Sequence, residues 1–152
     1  MEMKIVKYQK VFIYLLLFTN SCLVFNGKHV TAMLEKSGDV LVFSDKNDEM
    51  EQMFPKRKMI KTTIAADART TRNSAIINIG CTVQDISISK YHMLILDIFG
   101  RVWSVGRNRN GQLGLCNQAD QSDPKLVPLP KDVDRVVSIS ASSNCSVILC
   151  GQ

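Results

Sequence analysis

The feature that most constrains this chain is that it repeats itself. Laid over its own middle at an offset of 53 residues, the C-terminal third sets Ile139 on Ile86, Ser140 on Ser87, Val147 on Leu94 and Leu149 on Leu96, and Cys145 falls where His92 stands. An offset of 63 residues runs upstream from His92 to His29, with Leu23 in the place of Ile86, Met33 in that of Leu96, and Gly38 in that of Gly100 after one inserted residue. Carried to the start of the chain, the register places Val11 and Ile13 opposite Val127 and Leu129, and Leu17 opposite Val133. Recurring units of this length with short strand-like runs cannot bury their apolar faces alone. They stack into arrays or propellers.

The best unit reads as β-structure. Met93 to Leu96 and Arg101 to Val105 are short β-prone runs joined by Asp97-Ile98-Phe99-Gly100, the pattern of a hairpin closed by glycine. Gly106 and Gly111 mark the next turn, Ser122-Asp123-Pro124 and Pro128 to Asp132 carry loop chemistry, and Val136 to Ile139 and Cys145 to Leu149 read as further strands. The expected class is all-β, with about four strands to a unit.

The segment Gly100-Arg-Val-Trp-Ser-Val-Gly106-Arg-Asn108-Arg-Asn-Gly111-Gln112-Leu113-Gly114, preceded by the block Ile86 to His92, resembles the repeat of the regulator-of-chromosome-condensation family. The resemblance implies a β-propeller with four-stranded blades and a structural repeat motif of His92, Gly100, Gly106, Asn108, Gly111, Gln112, Leu113 and Gly114. The flanking copies depart from it: residues 44–53 hold no G-Q-L-G, Val105 stands where the family usually carries Trp, and Cys145 replaces His. Gln112, His92 and His29 are expected to bond to backbone in neighbouring turns, because buried polar groups require partners. The resemblance implies a protein partner, a Ran-type small GTPase met in nucleotide exchange or a ubiquitin-ligase component. Specific nucleic-acid binding, cofactors and catalytic or metal-binding residues are not expected.

Other motifs point the same way. Gly106-x-x-x-x-Gly111 has the glycine spacing of a phosphate loop but lacks the Lys and Ser/Thr that would hold phosphate and Mg²⁺. His92 and Cys145 occupy equivalent repeat positions, so packing is a better reading of them than a nucleophile and its base. Cys22, Cys81, Cys116, Cys145 and Cys150 form no C-x-x-C pair, and with two histidines they make no zinc framework; mostly buried, reduced thiols are expected. The net charge of +5 is modest, and the densest basic cluster, Pro55-Lys56-Arg57-Lys58, resembles a short nuclear-localisation signal but reads first as a solvated loop. Asn144-Cys145-Ser146 matches a glycosylation acceptor, of consequence only in a secreted protein.

Four stretches are expected: 1–43, a degenerate repeat with an apolar N-terminus; 44–82, a charged insertion and link; 83–136, the best repeat; and 137–152, the start of a further one. Seven blades of about 53 residues would take roughly 370, so 152 residues imply an incomplete ring, needing further blades from the same or another chain. The expected compartment is cytoplasm or nucleus, with no membrane association. The alternative is a secreted or membrane-associated protein, since Lys4, Lys7 and Lys10 precede the apolar run Val11 to Phe18 in the manner of a signal peptide.

Overall fold

The computed structural model describes residues 23–26, 30–35, 37–44, 46–63 and 71–151. The apolar run 11–18, Cys22 and His29 lie outside these.

Three antiparallel sheets follow one another along the chain. The second is a simple meander of β6 (Val83–Ile88), β7 (His92–Asp97), β8 (Val102–Gly106) and β9 (Gln121–Leu126). Before it stands a five-stranded sheet, built from β1 (Leu23–Asn26), β2 (Val30–Leu34), β3 (Val40–Ser44), β4 (Ile60–Thr63) and β5 (Thr71–Ile77) in the order β1-β2-β3-β5-β4. After it comes a hairpin of β10 (Arg135–Ala141) and β11 (Ser146–Gly151). One short helix, α1 (Asn47–Met53), adds to the otherwise all-β chain. The sheets are adjacent blades of a partial propeller, and no strand among the described residues closes them into a ring.

β7 explains the architecture. Its run Met93-Leu94-Ile95-Leu96 is apolar at every position because both faces of the strand are covered. Met93 and Ile95 join a cluster with Val30, Ala32, Val42, Ala75 and Ile77 of the first blade. Leu94 and Leu96 point the other way, against Val136 and Ile139 of β10. Each such side chain taken fully out of water contributes about 1.5–3 kcal/mol, so one strand welds three blades. Helix α1 adds Met50, Met53 and the following Phe54 to the first cluster.

The 53-residue repeat is reproduced down to its irregularity. Ile86 pairs with Ile95 and Ser87 with Leu94, as Ile139 pairs with Ile148 and Ser140 with Val147. The bulge between Val83 and Asp85 recurs between Val136 and Ser138. The first repeat is offset by 62 residues and not 63: Leu34 faces Val40 as Leu96 faces Val102, Val24 faces Met33 as Ile86 faces Ile95, and Gly38 stands where Gly100 stands. Val30, therefore, and not His29, occupies the place of His92. The slip matters because one residue in a strand exchanges its two faces.

Two further expectations are corrected. Ser122-Asp123-Pro124 is part of β9, not a loop. β9 is an edge strand, and its ladder to β8 shifts between Lys125 and Gln121, so the span around Pro124 needs no N–H donor. The thiols are not mostly buried: among the described residues Cys81 and Cys150 are half-buried, while Cys116 and Cys145 are exposed, all four as free thiols. Cys145 occupies the position of His92, but the following hairpin that covers His92 has no counterpart over Cys145 among the described residues.

Candidate functional site

The motif residues other than Gly100 gather at the end of the second blade where β7 begins and β8 ends. Ser89 and His92 close the β6–β7 turn: Ser89 N–H donates to the His92 carbonyl at 2.9 Å, and the His92 N–H donates to Ser89 Oγ at 3.1 Å. The turn recurs in the third blade, where Ser142 N–H donates to the Cys145 carbonyl at 2.9 Å.

The His92 ring is fully buried. Its Nε2 lies 2.8 Å from Ser146 Oγ, and its Nδ1 lies 2.8 Å from Ser89 Oγ. Ser146 Oγ in turn donates to the Gln112 carbonyl at 2.7 Å. With its proton used there, Ser146 accepts from His92 Nε2–H; the Ser89 hydroxyl, 2.9 Å from the His92 carbonyl and 2.8 Å from Nδ1, has a single proton for these two acceptors. Burial lowers the imidazole pKa to about 4, which keeps the ring uncharged at neutral pH. The expected bond from His92 to backbone is made through the hydroxyl of Ser146, so the chain His92–Ser146–Gln112 ties the third blade to the second. Both ring nitrogens are committed to serines, and the ring makes no pair with exposed Cys145.

Gly106 ends β8 where it passes closest to β7. A Cβ there would meet the Tyr91 carbonyl oxygen at 2.5 Å and His92 Cα at 2.7 Å, and φ is 122°. No side chain fits such an approach. Asn108 is buried in the following loop and organises it. Its N–H donates to Asp120 Oδ1 at 2.8 Å, its Nδ2 to the Asn117 carbonyl at 2.7 Å, and its Oδ1 accepts from Leu113 N–H at 2.9 Å. Gly111 N–H donates to the Asn108 carbonyl and Gly114 N–H to that of Gly111. Gln112 Oε1 accepts from Asn110 N–H at 3.0 Å, and the carbonyl of buried Leu113 accepts from Ser104 Oγ at 2.8 Å. The spacing that resembled a phosphate loop is occupied by these internal bonds. Beside it, an open groove of about 300 Å³ runs between the second and third blades, lined in part by Leu94, Val102, Leu113, Val127 and Ile148.

At the opposite end of the blade, Gly100 lies in the β7–β8 turn, its carbonyl accepting from Val136 N–H at 3.0 Å. A Cβ on Gly100 would come within 2.6 Å of Arg135 Cβ. The turn is organised by a residue the sequence reading did not single out, the buried Asp97. Its Oδ1 accepts from Phe99 N–H at 2.9 Å and Arg101 N–H at 3.0 Å; its Oδ2 accepts from Arg101 Nε at 2.7 Å, Trp103 Nε1 at 3.1 Å and the Cys81 thiol at 3.4 Å. Burial alone would raise the carboxyl pKa, but the hydrogen bonds from Trp103 and Arg101 outweigh it and hold it below the usual range. Burial, then the bond to Asp97 and its charge, push the Cys81 thiol up.

Arg57, from the cluster read as a solvated loop, is instead a clamp between blades. It donates to the Ser122 carbonyl at 2.8 Å, to Asp123 Oδ1 at 2.6 Å and, from its other nitrogen, to the Ile76 carbonyl at 2.5 Å. Ser122 Oγ returns a bond to the Pro55 carbonyl. The sequence carries no signal for either of these roles: Arg57 lies in a charged stretch without period, and Ser146 stands where the preceding repeat has Met93.

Among the described residues no buried side-chain nitrogen or oxygen lacks a hydrogen-bond partner, and no three His, Cys, Asp or Glu residues come together to hold a metal ion. No helix among them is long and apolar enough to cross a membrane.

Two models of the regulator of chromosome condensation (RCC1) repeat match the chain, one over residues 100–149 and one over 83–112. Among solved structures, human WBSCR16 is similar with a TM-score of 0.62 and 20% identity, over 86% of this chain and 31% of that one. Prp20p from Saccharomyces cerevisiae, whose binding to Gsp1p and histones has been described, matches with a TM-score of 0.62 and 16% identity over 86% of this chain and 32% of its own. Yeast RCC1 (Prp20) bound to Kap60 matches with the same score and identity, over 30% of its length. At these identities the likeness is one of fold. The chain spans about a third of each of these structures.

Proposed function

The chain belongs, over residues 83–149, to the regulator of chromosome condensation repeat family, and on that premise we propose that it is a non-catalytic protein-interaction scaffold. The observation that carries this reading is the employment of the motif. His92, Asn108 and Gln112, the motif side chains with hydrogen-bonding chemistry, are buried and bonded within the blades. A blade so constructed holds its strand-end turns in fixed positions and leaves recognition to the residues at their tips.

The partner proposed is a Ran-type small GTPase. The fold shared with Prp20p, described as binding Gsp1p, supports that choice. The compartment proposed with it is cytoplasm or nucleus. The test is isothermal titration of the purified chain with a purified, nucleotide-free Ran-type GTPase. Saturable binding is expected, and its absence refutes this partner. Mass spectrometry of the natural N-terminus tests the compartment: a chain beginning at Met1 or Glu2 agrees with it, and one beginning near Cys22 contradicts it.

A further inference from the structure

The β7–β8 turn exposes two large apolar side chains in succession, Ile98 at 49% and Phe99 at 64% of their surface. The turn does not require them. The equivalent turn of the first blade spans Glu35 to Asp39, with its glycine, Gly38, also at positive φ, and there the sequence is Lys36-Ser37. Exposing Ile and Phe costs solubility for no gain in the fold, so their presence asks for another reason.

The turn is also fixed on every side. Asp97 takes five donors, Ile98 N–H donates to the Thr82 carbonyl at 3.1 Å, and the Gly100 carbonyl is bonded to Val136 N–H in the third blade. Arg101 stacks over Phe99, 5.2 Å from its centroid, and over Trp103 at 5.7 Å, which restrains the Phe99 ring before any partner arrives. Arg135, exposed, lies against Gly100, so two guanidinium-bearing residues flank the apolar pair. A rigid aromatic flanked by arginines is the composition of interface hot spots.

We propose that the Ile98–Phe99 tip, flanked by Arg101 and Arg135, is a docking knob that inserts into an apolar cleft bordered by carboxylates on a partner protein. Arg101 is already paired with Asp97, so the exposed charge of Arg135 selects the carboxylates, and the restrained ring supplies the buried area. The inference rests on the scaffold reading and takes the small GTPase as its probe.

The test compares the full chain with I98K/F99S, which installs the residues of the first-blade turn, and with R135E, which reverses a flanking charge outside the turn. Titrated against the same nucleotide-free Ran-type GTPase, each variant is expected to bind at least about tenfold more weakly than wild type while keeping its thermal midpoint. If I98K/F99S does not fold, R135E alone decides. Undiminished binding by the folded variants overturns the knob and leaves the scaffold reading standing. Failure of the wild-type chain to bind overturns the GTPase partner, and the knob with it.

Discussion

Acidification attacks the tie between the second and third blades through one group, His92. Its folded pKa of about 4 lies below the 6.5 of a free imidazole, so between those values the unfolded chain holds more protons than the folded one. Stability from this residue is fully present above pH 6.5 and is lost as the pH falls toward 4. The gap of 2.5 units corresponds to about 3 kcal/mol lost by pH 4, and about 2 kcal/mol of it is gone by pH 5. Asp97 does not confuse the measurement, because its depressed pKa places its contribution, lost on protonation, below pH 3.8. Trp103, the single tryptophan, bonds to Asp97 and reports unfolding by fluorescence. Urea titrations at pH 7.5, 6.5, 5.5 and 5.0 should show the loss, and His92→Gln should flatten it within the same window. A wild-type chain equally stable at pH 7.5 and 5.0, or a glutamine variant with the wild-type slope, would refute the buried neutral imidazole.

Gly106→Ala should destabilise by about 4 kcal/mol or more, since both the backbone contact and the positive φ oppose a Cβ; Gly111→Ala, with open space around it, should cost only about 1–2 kcal/mol, and denaturant midpoints compare the two. Arg57→Ala should cost about 1–3 kcal/mol through the two carbonyls it leaves, whereas exposed Lys56→Ala should be near neutral, as thermal melts will register. Asp97→Asn should shift the Trp103 emission and lower stability by about 2 kcal/mol, and an unchanged spectrum would argue against the turn described.

The parts of this fold legible in the sequence were those in which one strand carries its own evidence. The uninterrupted apolar run of β7 announces burial on two faces, and the 53-residue spacing survives because strand and bulge are copied together. The first repeat was misread by one residue because matching His29 to His92 rewarded an identity of side chain. The hairpin instead aligns its glycine and its paired ends, setting Val30 in the histidine's place. Pro124 was read as a loop because proline is excluded from central ladders, a rule that lapses at a bulged edge. In the candidate site, the glycines and Asn108 announced themselves by motif. Ser146, Arg57 and Asp97 did not, because their roles arise from contacts between segments far apart in sequence or, for Asp97, from a turn whose acidic residue has no marked spacing of its own.

Motif residues join one blade to the next, and a double-mutant cycle on His92 and Ser146 measures that joint. His92→Ala, Ser146→Ala and the double variant, each unfolded in urea at pH 7.5, should yield a coupling of about 1–2 kcal/mol, because the hydrogen bond between the His92 ring and the Ser146 hydroxyl is lost once in either single variant and cannot be lost twice. Single effects that simply add would mean that the two blades do not meet through His92, and would contradict the arrangement from which the scaffold reading is drawn.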